Sequence, residues 1–276
     1  MKVFISIDME GISGLANWKE KQEVMSKHME LDLLAAIEGA FEGGADYILV
    51  ADSHATGMNI NPDVLPPDVD LIRGYPRPLY MVEGLTSEFD IVFFIGYHAP
   101  AGFSRGQMDH TFSSFSIYRI TVNGEEFGEA ELNALYAGEL GVPVGLITGD
   151  KALFEFSSNK FPPTTRFVIT KDGISKYSAR LYPLEKVRNE IKIRAKEVVS
   201  EVEKLQIFKR EKVHNGYVVE IELLDTLRTD FAALMPGIER VGGRKVRYSA
   251  TNAREVLKLV HTVSALASFV LLLDKK

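Results

Sequence analysis

Residues 2–10 read KVFISIDME, and this stretch places two carboxylates directly after a short apolar run. A run of β-branched and aromatic residues is typical of a strand that is buried on both faces of a sheet. Asp8 and Glu10 lie two residues apart, so on an extended chain both side chains point to the same side and repel each other. The stretch therefore predicts a buried strand whose end needs a cation or several hydrogen-bond donors.

Three further apolar runs have a similar composition. They read DYILVADS at 46–53, FDIVFFIGYH at 89–98 and VPVGLITGD at 142–150. Amphipathic patterns of helical period lie between them, across residues 22–43 and from Glu129 to about Leu140. Buried runs that alternate with helices are typical of a sheet covered on both faces. We therefore expect an α/β fold, with a mixed, largely parallel sheet flanked by helices.

The second half of the chain predicts a smaller unit. Residues 183–206 have the pattern of a charged amphipathic helix opened by a proline, and the runs 216–224 and 244–251 precede a helix from Asn252. We expect a metal-binding catalytic α/β domain over residues 1–184 and a C-terminal α/β subdomain over residues 185–276 packed on it. Because no linker rich in proline, glycine or serine separates them, a single domain is the alternative.

The composition excludes several classes of partner and site. The 276 residues have a net charge of −6 and no basic stripe, which argues against a nucleic-acid partner. Without cysteine the chain has neither disulfides nor thiolate ligands, so a metal site must use imidazole and carboxylate. The first residues lack the pattern of a signal peptide, and the apolar stretch at 260–273 is too short to span a bilayer. We therefore expect a cytoplasmic protein without a membrane partner.

Groups that can bind metal follow three of the predicted strands. The first strand precedes Asp8 and Glu10, and the next two precede the remaining candidates: Asp52, His54 and His98. Ligands bind beyond the carboxyl ends of strands in open α/β sheets, so we expect these groups to share one crevice. Carboxylates and imidazoles without thiolates suit zinc first, then manganese or cobalt. Two ions bridged by a carboxylate form a hydrolytic centre, and Asp8 is the natural bridge.

Further candidates follow in the chain. An irregular loop rich in glycine leads to His110, and Glu129 and Glu131 stand at a predicted helix start. Since residues two apart on a helix face different directions, only one of these two glutamates should reach the same ion. The other three histidines have the patterns of structural residues: His28, His214 and His261.

Taken together, these residues form a series of motifs: Asp8-Met9-Glu10-Gly11, Asp52-Ser53-His54, Gly96-Tyr97-His98-Ala99, Met108-Asp109-His110, Gly128-Glu129 with Asn133-Ala134, and Leu234-Met235-Pro236-Gly237. The series resembles that of the zinc-dependent D-aminopeptidase family in order and spacing, over nearly the whole chain. The resemblance implies a metallopeptidase that removes N-terminal D-residues from short peptides. It also implies a homodecameric ring whose active sites face an inner channel.

The resemblance further implies roles for individual residues. Two zinc ions per subunit would be bound, with Asp8 shared between them, by Asp8, Glu10, His54, His98 and Glu129. His110 matches a catalytic histidine. Two positions depart from the family pattern: Glu131 stands where a glycine is expected, and Asp109 stands where a small hydroxyl residue is common. We expect Glu131 to add a carboxylate near the site and Asp109 to raise the pKa of His110.

The hydrolytic hypothesis has a preferred proton carrier and two alternatives. Zinc would lower the pKa of water toward about 7, and His110 is a better proton carrier than a zinc-bound carboxylate such as Glu10. One alternative is a two-metal phosphatase or phosphodiesterase, which needs cationic clamps, for which the available residues are Arg73, Arg77 and Arg105. The other alternative is a metal-dependent peptide-binding assembly protein with structural metals.

Overall fold

The computed structural model describes residues 1–273, which form twelve strands and seven α-helices. The strands are β1 (Lys2–Ile7), β2 (Tyr47–Asp52), β3 (Val69–Ile72), β4 (Ile91–Tyr97), β5 (Ile117–Val122), β6 (Glu125–Phe127), β7 (Val144–Asp150), β8 (Arg166–Ser175), β9 (Ser178–Leu181), β10 (Tyr217–Leu223), β11 (Glu239–Arg240) and β12 (Lys245–Ala250). The helices are α1 (Gln22–Glu42), α2 (Glu129–Glu139), α3 (Lys151–Ser157), α4 (Leu184–Ser200), α5 (Thr226–Ala232), α6 (Ala253–Ser268) and α7 (Val270–Leu273).

Seven strands form the larger sheet, in the order β3-β2-β1-β4-β7-β8-β9. Its neighbours pair in parallel except β8 and β9, which are antiparallel. Strand β1 lies near the middle, and its alternate side chains enter two separate cores: Phe4 packs on one side, and Val3 and Ile5 pack on the other. Burial on both faces explains the unbroken apolar runs, and the predicted mixed, largely parallel α/β fold is confirmed.

Helices α1 and α4 pack against each other over one face of this sheet. Helix α4 follows Pro183 and buries the stripe Val187, Ile191, Ala195 and Val198. The helix ends at Ser200 rather than near residue 206, and a short 3₁₀ turn follows at Val202–Lys204. The two helices approach closely at Gly39, where a Cβ atom would lie 2.2 Å from the carbonyl oxygen of Lys192.

The smaller sheet is antiparallel, with the order β11-β12-β10-β5-β6. Strands β5 and β6 form a hairpin, in which Asn123 and Gly124 have φ angles of 51° and 84°. These positive angles are those of the tight turn that Asn-Gly favours. This sheet contains strands from before and from after residue 184. The expected boundary between two domains at that residue stays a prediction.

The sheet order brings the ends of β2, β1 and β4 side by side. Ile7 pairs with Asp52, the last residue of β2, and with Ile95, which lies two residues before the end of β4, so all three strands end at the same edge of the sheet. The loop after β1 contacts the last residues of β4, because the amide of Gly11 donates to the carbonyl of Gly96 at 2.7 Å. A Cβ atom on Gly11 would lie 1.8 Å from the carbonyl oxygen of Tyr97. Glycine is therefore required where this loop meets β4.

Within the described residues, none of the helices combines the length and the hydropathy needed to cross a membrane.

Gly39→Ala should destabilise the fold. Alanine favours a helix interior by about 1 kcal/mol over glycine, but the backbone contact with Lys192 forces α1 and α4 apart. We expect the free energy of unfolding to fall by about 1–2 kcal/mol overall, measured by urea denaturation. Lys27→Ala, at an exposed position of the same helix, is the control and should change it by less than about 0.5 kcal/mol. An unchanged stability of Gly39→Ala would contradict the close packing of the two helices.

Candidate metal centre

The ends of β1 and β2 bring two carboxylates and an imidazole together. Asp8 directly follows β1, where its amide donates to the carbonyl of Ile95 at 2.8 Å. His54 follows β2, and its Nδ1 lies 3.2 Å from Oδ1 of Asp8 and 3.1 Å from Oε2 of Glu10. Both carboxylates are almost fully buried. The imidazole of His54 therefore lies where the sequence predicts that positive charge is needed.

A second imidazole and a third carboxylate complete the group from the other side. His98 follows β4, and its Nε2 lies 3.4 Å from Oδ2 of Asp8 and 3.5 Å from Oε1 of Glu129. Glu129 is the first residue of α2, whose N-terminus favours a carboxylate. The two oxygens of Asp8 thus face different imidazoles, Oδ1 toward His54 and Oδ2 toward His98.

His110 reaches the same group from the loop between β4 and β5. Its Nε2 lies 3.8 Å from Oε1 of Glu129, and its ring stacks on that of His98 at a centroid distance of 4.2 Å. Nδ1 of His110 pairs with the carbonyl of Met108 at 3.0 Å, which assigns the ring proton to Nδ1 and leaves Nε2 facing the carboxylates. Trp18 contacts the ring edge-on at 5.6 Å.

The donor set fits a metal ion. Nδ1 of His98 pairs with the carbonyl of Ala99 at 2.9 Å, so its Nε2 is the ring nitrogen that faces Asp8 and Glu129 and is available to a metal ion. This Nε2 is buried and has no hydrogen-bond partner among the described residues. Two sets of side chains place their ligand atoms within 4.8 Å of one another: Asp8, Glu10 and His98; and His98, His110 and Glu129. Carboxylates and imidazoles of this kind suit zinc, manganese or cobalt.

Burial and close charges shift the pKa values of the group. Burial, with the Glu10 charge beside it, raises the pKa of Asp8 to about 7. Burial opposes ionisation of Glu10, but His54 holds its pKa well below the usual range. Burial likewise opposes protonation of His98, but Glu129 raises its pKa to about 10. These opposite shifts indicate a group of side chains that needs positive charge in its midst.

His110 differs from the other two imidazoles. Burial lowers its pKa, and the neighbouring His98 lowers it further. The expectation that Asp109 raises this pKa is wrong. The Asp109 carboxylate accepts hydrogen bonds from the amide of Gly102 at 2.7 Å and from Nζ of Lys176 at 3.0 Å, so its charge is satisfied away from the imidazole.

Two other carboxylates that the sequence placed at the centre serve the surrounding structure. Asp52 accepts hydrogen bonds from the amide of Asn59 at 2.6 Å and the amide of Ile60 at 3.0 Å, and so fixes the loop after β2. Glu131 accepts from the amide of Gly128 at 2.8 Å and from Oγ of Ser157 at 2.5 Å, which caps α2. The expectation that Glu131 adds a carboxylate near the ions is therefore wrong.

The remaining candidates lie outside the group. Arg77 donates to the carbonyl of Asp52 at 2.7 Å, and Arg188 donates to Nδ1 of His28 at 2.9 Å. His214 is exposed in a turn before β10. His261 lies on α6, where it stacks on Tyr80 with the ring centroids 5.0 Å apart.

Two residues that the sequence analysis missed hold Glu10 in place. Nε1 of Trp18 donates to Oε1 of Glu10 at 2.7 Å. Lys171, fully buried in β8, donates from Nζ to the carbonyls of Glu10 and Leu15 at 2.5 and 2.6 Å. A lysine inside an apolar strand could have been recognised in the sequence as a residue with a buried partner. Nothing near Trp18 in the sequence indicates that it donates to Glu10.

A cavity of about 390 Å³ opens beside the centre. Among the described residues its lining has no lysine or arginine; besides the candidate ligands Asp8, Glu10, His54 and Glu129, it includes Trp18, Gln22, Tyr80, His110 and Phe112. This volume falls within the range of small-molecule pockets. The cavity gives a small ligand access to the grouped side chains.

Comparisons with known proteins agree on one family. A family model described as D-aminopeptidase matches residues 1–262. A D-aminopeptidase of Bacillus subtilis (strain 168) is 30% identical over 283 residues, which cover 97% of this chain and 98% of that protein. A solved structure is similar, with a TM-score of 0.91 and 30% identity over 97% of this chain and 98% of that chain. It is the Zn-dependent D-aminopeptidase DppA from Bacillus subtilis, described as a self-compartmentalizing protease.

Trp18→Phe should weaken the binding of a divalent metal ion at this group, with zinc as the probe, because it removes the hydrogen bond that orients Glu10. Loss of such an outer partner lowers metal affinity by about 10–100-fold, and we expect a loss in that range in competition with a chromophoric chelator. Phe115→Leu is the matched control, since Phe115 is an exposed apolar residue that lines the same cavity. Equal zinc affinity of Trp18→Phe and the parent chain would contradict this role of Trp18.

Proposed function

The chain belongs to the D-aminopeptidase family, and from this premise we propose that it is a zinc-dependent aminopeptidase that hydrolyses short peptides with an N-terminal D-amino acid. We further propose that its centre binds two zinc ions. The observation that carries this proposal is the position of Asp8, whose two oxygens face His54 and His98 at 3.2 and 3.4 Å. A carboxylate between two imidazoles is suited to bridge two cations.

We assign the ligands to two sets that share Asp8. Glu10 belongs with His54, whose Nδ1 lies 3.1 Å from it, and Glu129 belongs with His98, whose Nε2 lies 3.5 Å from it. Five protein ligands are fewer than two closed four-coordinate sites would need, so this donor set would suit a catalytic centre rather than a structural one. When bound, the two zinc ions supply Lewis acids and lower the pKa of water, so that a nucleophile is available near neutral pH.

We assign the movement of the proton to His110. Its lowered pKa keeps the imidazole neutral at pH 7, and Nε2 faces the centre, so it can accept a proton and pass it to the leaving amine. Glu10 is less suited to this role, because its carboxylate accepts from Trp18 and lies against His54. The stacking of His110 on His98 fixes the ring in the position that the transfer needs.

The finer assignments come from the relatives. We extend zinc from DppA to this chain, because the donor set fits that metal, and we extend D-specificity from the family. The self-compartmentalizing nature of DppA supports a homo-oligomer here, and we propose a decameric ring in the cytoplasm that admits only short peptides.

The geometry does not favour the other candidate functions. A two-metal phosphatase needs cationic clamps, but Arg73, Arg77 and Arg105 do not line the cavity beside the centre. A protein that only binds peptides has no use for a neutral imidazole held beside open ligand positions. The family supports hydrolysis over both.

A substrate panel tests the proposal. The zinc-loaded protein should hydrolyse D-alanyl dipeptides and tripeptides at least tenfold faster than their L-alanyl counterparts, and an excess of chelator should abolish the activity. Aryl phosphates in the same assay should stay uncleaved. Peptide hydrolysis that is indifferent to the chelator, or faster cleavage of aryl phosphate, would overturn the proposed function.

Two variants separate metal binding from proton transfer. Asp8→Ala should lose at least one of the two zinc ions, because both sets of ligands share this carboxylate. His110→Ala should keep both ions but lose about 10²–10⁴-fold in kcat. Zinc content per chain by emission spectroscopy, together with kcat on a D-alanyl peptide, gives both readouts. Two ions in Asp8→Ala would disprove the bridge, and full activity of His110→Ala with two ions would disprove the proton transfer.

A further inference from the structure

A second cavity lies directly beside the metal centre. It has a volume of about 410 Å³, and it shares four lining residues with the first: Ala55, Tyr80, Phe112 and Ser113. We call it the aromatic cavity, after the rings of Tyr75, Tyr80, Phe112 and His261 in its lining. The two cavities therefore adjoin at this shared wall, and a ligand in the first cavity lies next to the aromatic cavity.

The rings of the aromatic cavity are arranged for contact with a flat or apolar group. Tyr80 stacks on His261 at 5.0 Å and lies 5.8 Å from Phe112. Tyr75 meets the same His261 ring edge-on at 5.5 Å and is half exposed. Aromatic rings at such distances bind a further ring through stacked or edge-on contacts.

The shared wall has an unusual backbone. Ala55, Tyr80 and Phe112 have φ angles of 51°, 47° and 57°, in the left-handed region that residues other than glycine rarely adopt. Each such residue costs about 1–3 kcal/mol, and such residues cluster at ligand sites, where the surrounding structure holds them. Three of them in one wall between two cavities indicate a surface that is shaped for a ligand.

Positive charge lies beyond the aromatic cavity. A third cavity of about 450 Å³ shares His261 with it and is also lined by Arg77 and Lys258. Lys258 is exposed on α6 and has no ion-pair partner among the described residues. The first cavity is lined by the carboxylates of the metal centre, and the third cavity is lined by two cations. A short peptide has the matching polarity, because its ammonium suits the carboxylates and its carboxylate suits the cations.

We propose that the aromatic cavity binds the side chain that follows the scissile bond, and that Lys258 binds the terminal carboxylate of the peptide. This inference rests on the proposed function. It names the preferred substrates of the protein as short peptides with a free carboxyl end and a large aromatic residue in the second position. His261 and Lys258 act on the leaving part of the substrate, so they affect specificity and not the chemistry at the ions.

The test uses the zinc-loaded full chain and four peptides. These are D-alanyl-phenylalanyl-glycine and D-alanyl-glycyl-glycine, each as the free acid and as the C-terminal amide. The parent protein should prefer the phenylalanyl peptide and the free acids. His261→Ala should lower the preference for phenylalanine about fivefold, through KM, and leave kcat/KM for the glycyl peptide unchanged. His261→Phe keeps an aromatic ring and should retain the preference.

Lys258→Gln should lower the ratio of acid to amide about threefold. Arg254→Gln is the matched control, because Arg254 is an exposed cation on the same helix that lies outside these cavities, and it should leave the ratio unchanged. If the parent protein cleaves the glycyl peptide but these ratios do not change in the variants, the inference is wrong and the proposed function stands. If the parent protein cleaves none of the four peptides, both are overturned.

Discussion

The repulsion between two buried carboxylates at the end of β1 is the constraint on which the site depends. Asp8 and Glu10 are removed from water, and two like charges in such surroundings are stable only with positive charge between or beside them. The parallel pairing of β2, β1 and β4 supplies it, because strands that end at one edge of the sheet place His54 and His98 on either side of Asp8. An antiparallel pairing of the same strands would separate these groups. The sheet topology and the electrostatics of the centre therefore depend on each other.

This constraint extends into the loops. The turn after β1 can bring Glu10 close to Asp8 only because glycine at position 11 allows this turn to contact the end of β4 at Gly96 and Tyr97. Lys171 also holds this turn in place, because its ammonium group donates to the carbonyls of Glu10 and Leu15. A buried lysine without a carboxylate partner is costly, and burial lowers its pKa to about 8. The two hydrogen bonds from Lys171 offset the free energy of burying its charge, and they fix the loop that carries Glu10.

Hydrophobic periodicity and motif spacing determine how much of the fold and of the metal centre could be predicted from the sequence. They place residues at strand ends and on helix faces, so the parallel core and the grouping of Asp8, Glu10, His54 and His98 could be predicted. His110 and the choice of Glu129 over Glu131 came from the resemblance to the D-aminopeptidase family. Periodicity and spacing do not encode which distant donor a carboxylate meets. Asp52 and Glu131 have the same local signals as the grouped residues, but the amides of the loop after β2 and of the α2 cap satisfy them. The role of Trp18 depends on a long-range contact of the same kind and left no local signal.

The two kinds of element in the site divide its tasks. Strand ends and a helix start hold the candidate ligands, because a rigid sheet fixes distances to within the tolerance of a metal ion. Irregular loops hold His110 and the wall toward the aromatic cavity, with Ala55, Tyr80 and Phe112 in strained conformations. Backbone strain of this kind lowers the stability of the fold, and it persists only where the surrounding structure holds it. Changes in the loops can thus alter which ligand fits, while the strand ends keep the centre itself constant.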